Sequence, residues 1–99
     1  MIIVLGSIVA EPKTFDTLHR LGLEHVHRSR TEPGCIFHSI HIDAENPMKL
    51  VFVEKWKDAS ALAAHFKVQG SIDFVTKARE IAAEAATVEI FYASPARLV

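Results

Sequence analysis

Glu54 and Trp56 stand two positions apart in an apolar run, so on a strand the carboxylate and the indole share one face, with Leu50 and Phe52 ahead of them. His65 lies in Ala61-Leu62-Ala63-Ala64-His65-Phe66, where residues three and four apart share a helical face, and it points inward if Leu62 and Phe66 do. A flat aromatic wall, a carboxylate and an imidazole titrating near pH 6.5 suit a planar phenol. The phenol ring would stack on Trp56, and its proton would pass to His65 or Glu54, the two candidate catalytic residues. The plainer alternative makes Trp56 core, pairs Glu54 with His65 and leaves the histidine a structural donor. Phe74, Phe91 and Tyr92 can extend such a wall, although aromatic residues in a small domain are core by default.

Other groups offer less. His38 and His41 fall on opposite faces of one strand and cannot grip a metal together, and no two of His19, His25 and His27 have the i, i+4 spacing of helical zinc ligands. The expectation is therefore no metal, with those three on a solvated face or at a helix edge. Cys35 is the single cysteine, which excludes an intramolecular disulfide and fits a reducing cytoplasm. No neighbouring residue in the sequence supplies a base for its thiol, so a structural role is expected. Arg30 and Glu32 flank a turn and are expected to fix it.

The elements that position these groups follow from pattern. Ninety-nine residues, 49% of them hydrophobic, supply a core for one domain over 1–99. Eleven basic against twelve acidic residues, with neither sign in a block, argue against nucleic acid as a partner. Met1 to Ala10 is apolar but lacks a basic leader and is too short to span a bilayer, so no signal peptide and no membrane association are expected.

Ile2 to Val9 is β-branched and apolar on both faces, which predicts a strand buried on both sides. Pro12 opens a helix whose inward face holds Phe15, Leu18, Leu21 or Gly22, His25 or Val26, and Ser29, while Lys13, Asp16, Arg20, Glu24 and Arg28 face out. Pro33-Gly34 ends it. Cys35, Phe37, Ser39 and His41 then alternate with Ile36, His38, Ile40 and Ile42, and after a polar turn at 43–47 the chain returns from Lys49 to Trp56 as a hairpin with a longer loop. Asp58 or Ser60 caps a short helix, Gly70-Ser71 breaks it, a second helical stretch runs to about Ala86, and Thr87 to Ala93 is the last strand. The order β-α-β-β-α-β predicts an α+β, ferredoxin-like fold with two helices on one face of a four-stranded antiparallel sheet. The bare apolar face then calls for a second copy of the chain, a homodimer formed through the sheet faces.

Three stretches together, Ser29-Arg30-Thr31-Glu32-Pro33-Gly34-Cys35, Glu54-Lys55-Trp56 and Ser60-Ala61-Leu62-Ala63-Ala64-His65-Phe66, resemble the antibiotic biosynthesis monooxygenase family of small dimeric α/β-barrel proteins. The resemblance covers nearly the whole chain. It implies a pocket in each subunit between sheet and helices, and a cofactor-free monooxygenase acting on a quinol-like or polyphenolic small molecule. In that pocket His65 would hold the proton, Glu54 would position His65, and Trp56, His38, Phe52 and Phe74 would line the substrate, with His38 standing where the family often has an aromatic. Two departures are evident: many members carry a second histidine five positions after the one matching His65, here Gly70, and the aromatic that often follows is Ser71. The same fold also serves isomerases or lyases of small oxygenated metabolites, haem-degrading relatives, and dimers that bind a ligand without turning it over.

Overall fold

A computed structural model describes residues 1–98. Seven elements follow in order: β1 (Ile2–Val9), α1 (Phe15–Ser29), β2 (Cys35–Asp43), β3 (Asn46–Trp56), α2 (Ala59–Lys67), α3 (Gln69–Ile81) and β4 (Thr87–Tyr92). The four strands form one antiparallel sheet in the order β2-β3-β1-β4. This is the expected α+β, ferredoxin-like arrangement, with its second helix divided into α2 and α3.

The division falls at Val68, which leaves helical geometry with ψ at 130°. Gly70 and Ser71 lie inside α3 instead of forming the break, and α3 ends at Ile81, short of Ala86. At the start of α2, the Asp58 carboxylate accepts a hydrogen bond from the Ala61 amide at 2.8 Å, satisfying a donor that the first helical turn cannot. The β2–β3 turn is tighter than its sequence suggests: Asp43 pairs directly with Asn46, and Pro47 already belongs to the strand.

Packing on the helix side divides into two apolar clusters. Ile8, Leu18, Val26, Leu50, Phe52 and Ala78 form one, with Phe74 packed against it; Ile2, Val4, Trp56 and Leu62 form the other. Gly22 permits the close approach of α1, since a Cβ there would meet Ile40 Cδ1 at 2.6 Å. The opposite sheet face is open. Ile3 and Leu5 of β1, Val51 and Val53 of β3, Phe37 of β2 and Phe91 of β4 point to it, and Leu5, Phe37 and Phe91 are exposed. β1 is thus buried on its helix face only, because no element of the same chain crosses its other side. β4 is an edge strand with every residue exposed, including Val88, Ile90 and Tyr92 on the helix side. No helix among the described residues is long and apolar enough to cross a membrane.

A bulge in β2 changes the faces of its first residues. Cys35 pairs with Trp56, yet Phe37 pairs with Lys55, leaving Ile36 out of register and exposed. Cys35 consequently faces the helices with His38 and Ile40, and only Phe37, Ser39 and His41 remain on the open side. Strict alternation placed Cys35 with the latter group and Ile36 with the former; the extra residue reverses both.

The turn before the bulge depends on Gly34, the one described glycine with positive φ, at +83°. A Cβ at this position would sit 2.5 Å from Ala61 Cβ on α2. Gly34→Ala is therefore expected to cost at least the roughly 1–2 kcal/mol of left-handed backbone, with the contact at Ala61 added. Urea denaturation should show a lower midpoint with an unchanged slope.

Candidate functional site

The turn that closes α1 carries Glu32 inward. Its amide donates to Ser29 O at 3.0 Å, its carbonyl accepts from Cys35 N at 3.2 Å, and its carboxylate is then largely buried. There Glu32 Oε1 accepts a hydrogen bond from His65 Nδ1 at 2.8 Å. The acceptor is a carboxylate, so Nδ1 carries the proton and the lone pair of neutral His65 resides on Nε2. His65 is on the inward face of α2 with Leu62, as its spacing predicts. Phe66, expected beside them, is half exposed because that face is narrower than one helical turn of apolar sequence suggests.

Glu54 does not position His65. Its Oε1 accepts from Trp56 Nε1 at 2.9 Å and lies 3.3 Å from His38 Nε2, a contact too poorly aligned to count as a hydrogen bond. Burial alone would raise the Glu54 pKa, but His38, the Trp56 indole and His65 together hold it below the ordinary carboxylate value. A carboxylate stabilised in its charged form is a weaker proton acceptor, and this one holds the indole of Trp56 in place.

The residues expected to wall a hollow between sheet and helices are packed on one another. Trp56 is 0% exposed, with its ring centroid 4.6 Å from that of His65 and 6.2 Å from that of His38. Phe74 stacks on His25 at 4.4 Å and meets Phe52 edge-on at 5.8 Å. The space beside Trp56 is occupied by the imidazole itself. His65 and Glu32 instead line an open cleft of about 350 Å³ between the Pro33-Gly34 turn and α2, with Lys57, Asp58, Ala61 and Val68 around it.

His25 is the residue that pattern reading placed least well. It is 6% exposed, turned into the core between His38, His65 and Phe74, and not at a solvated helix edge. Its Nδ1 takes a hydrogen bond from Arg28 Nη2 at 2.6 Å, and the same nitrogen of Arg28 donates to Ser71 Oγ at 3.0 Å. Arg28 Nε also lies 3.7 Å from Glu32 Oε2. Arg28, expected to face out, is drawn inward because Gly70 leaves room: a Cβ there would meet the guanidinium at 2.6 to 2.9 Å. The departure at position 70 is filled from α1. Arg30, on the turn as expected, donates from Nε to the His38 carbonyl at 2.9 Å and fastens β2 to the end of α1. Cys35 is partly buried, and burial, with Glu32 and Glu54 nearby, pushes its thiol pKa up, in keeping with a structural role.

Burial first, then the neighbouring His38, Arg28 and His65, lower the His25 pKa to about 3. The unfolded chain takes up a proton on this residue near pH 6.5 while the folded one does not, so the unfolded state binds more protons between those values and stability falls as pH drops. The loss is about 1.4 kcal/mol per pH unit across that window, and it ends below the folded value. Urea midpoints at pH 7 and pH 5 should differ in this sense, and His25→Phe should flatten the difference.

Comparison with known proteins identifies the family and the fold. The family described as antibiotic biosynthesis monooxygenase matches residues 1–77. An uncharacterised protein of Synechocystis sp. is 31% identical over 90 residues, which are 91% of this chain and 61% of that protein, so the chain spans about three fifths of its curated relative. A crystal structure of an antibiotic biosynthesis monooxygenase superposes with a TM-score of 0.88 at 27% identity, covering 96% of this chain and all of the other. A Deinococcus radiodurans protein shares the fold, with a TM-score of 0.94 at 19% identity, covering 100% of this chain and 98% of that one. The chain belongs to the antibiotic biosynthesis monooxygenase family.

Proposed function

We propose that the protein is a homodimeric monooxygenase that oxidises a quinol-like small molecule with dioxygen and without a cofactor. The observation that carries this reading is the Glu32–His65 pair at the wall of the cleft, an imidazole whose Nδ1 is tied to a carboxylate and whose Nε2 has no hydrogen-bond partner among the described residues. His65 Nε2 takes the phenolic proton, and Glu32 orients the ring and stabilises the imidazolium that forms. The resulting phenolate gives up electrons to oxygen far more readily than the phenol. The balance closes on two products: one oxygen atom forms a new ring carbon–oxygen bond, the other leaves as water, and the quinol, supplying four electrons, becomes a hydroxyquinone. Glu54, Trp56 and His38 form the packed support behind His65, with Phe52 and Phe74 stacked around His25.

Self-association follows from the open sheet face. Ile3, Leu5, Phe37, Val51, Val53 and Phe91 make an apolar surface that α1, α2 and α3 cannot reach, and the same patch on a second copy is its natural complement under two-fold symmetry. Burying such side chains is worth about 1.5–3 kcal/mol each when complete, enough to offset the freedom lost on association.

Purified protein, shown to be a dimer by sedimentation, should convert at least one member of a panel of reduced benzoquinols, naphthoquinols and anthraquinols to an oxygenated product only when air is admitted. His65→Ala should lower kcat/KM by about 10²- to 10⁴-fold, the usual worth of a positioned acid–base group. A verified dimer that consumes no oxygen with any of these quinols would exclude the reading.

A further inference from the structure

His25 on α1, His38 on β2 and His65 on α2 bring one ring nitrogen apiece within 4.8 Å of one another, and all three side chains are buried. No hydrogen bond joins the three rings among the described residues, and both nitrogens of His38, 1% exposed, are enclosed without a partner. Buried polar atoms are ordinarily satisfied, so two unpaired ring nitrogens in the interior call for a partner. Three imidazoles from three separate elements are also the donor set of a catalytic-type zinc site.

We propose that His25, His38 and His65 form a binding site for a divalent transition cation of the zinc class, the ions that imidazole nitrogen prefers. The surrounding groups bear on the choice of ligand atoms. Glu32 holds the Nδ1 proton of His65 and leaves Nε2 as the donor, the carboxylate–histidine pairing that supports metal ligands elsewhere. Glu54 Oε1 lies 3.3 Å from Nε2 of His38, and either ring nitrogen of His38, neither of them hydrogen-bonded, can turn to the cation as its donor. The two carboxylates supply charge that offsets a dication in a buried place.

His25 is the contested ligand. A guanidinium can only donate, so the hydrogen bond from Arg28 fixes the His25 proton on Nε2. Metal binding moves that proton to Nδ1 and releases Arg28, which retains Ser71 and Glu32. Arg28 and the cation thus compete for one imidazole. Zinc–imidazole bonds of about 2.0–2.1 Å place tetrahedral ligands roughly 3.4 Å apart, so the trio closes by about an ångström on loading. Because His65 Nε2 is also the proposed base, a bound cation blocks proton transfer; the site itself is independent of that activity.

The full chain, stripped with chelator, is titrated with zinc chloride by calorimetry and with cobalt(II) by visible absorption, in the absence of any quinol. One equivalent per chain is expected, with the intense cobalt bands of a four-coordinate site. Glu32→Gln should weaken zinc about 10- to 100-fold, the usual effect of removing a carboxylate behind a ligand. Arg28→Met should tighten it, which a merely structural arginine would not do. His38→Phe and His65→Asn, each first shown to unfold cooperatively, should abolish uptake. Absence of both heat and cobalt bands in the wild type overturns the proposal, as does undiminished binding by both histidine variants, which would assign the metal to exposed histidines such as His27 and His41.

Discussion

A buried carboxylate needs compensation, and Glu32 receives a hydrogen bond from one helix and only the longer-range charge of a guanidinium from another. His65 of α2 donates to one oxygen and Arg28 of α1 stands by the other, so the end of α1, the Pro33-Gly34 turn and the face of α2 are fixed relative to one another by one side chain. The rest of the interior follows from that anchor. With His65 held in place, Trp56 packs on its ring, Glu54 accepts the hydrogen bond of the indole N–H, and His38 fills the remaining corner beneath α1. Without the positive φ at Gly34 the turn could not bring Glu32 and α2 so close.

The interior is consequently polar on this side of the molecule. Seven polar or charged residues, three of them histidines, are buried among the described residues, and all but Ser39, on the open sheet face, and Ser71, on α3, gather between α1, α2 and the β2–β3 half of the sheet. The apolar cluster around Leu18, Leu50 and Phe52 carries the other half. Polar groups packed in this way have fewer acceptable arrangements than oil, because each misaligned donor is penalised in a low-dielectric surrounding. Strong geometric demand on the imidazoles is what makes the region suitable for handling protons or cations.

Much of the architecture was legible from periodicity. Strand and helix order, the inward face of α1 with Leu18, Gly22 and Val26, the Asp58 cap, and the shared face of Glu54 and Trp56 all follow from spacing that tertiary packing did not override. The bulge at Ile36 was not legible, since a single inserted residue leaves no mark on composition while reversing the side of Cys35. Glu32 was read as a turn residue because its partner is distant in sequence, and pairing between a turn and a helix has no periodic signal. His25 was read both as an option for the inward face and as a helix-edge residue, and its company of His38 and His65 arises from three elements and could be found only in three dimensions. Arg28 followed the same logic in reverse: helical phase placed it outside, and a vacancy at Gly70 brought it in.

Arg28 and Gly70 share one volume of the interior. A guanidinium in its present place cannot coexist with a side chain at 70 unless its bonds to His25 and Ser71 are broken, whereas a glycine at 70 facing a shorter residue at 28 would only leave a gap. Positions 28 and 70 therefore cannot vary independently: any side chain on α3 at 70 displaces the cation that α1 lends to the interior.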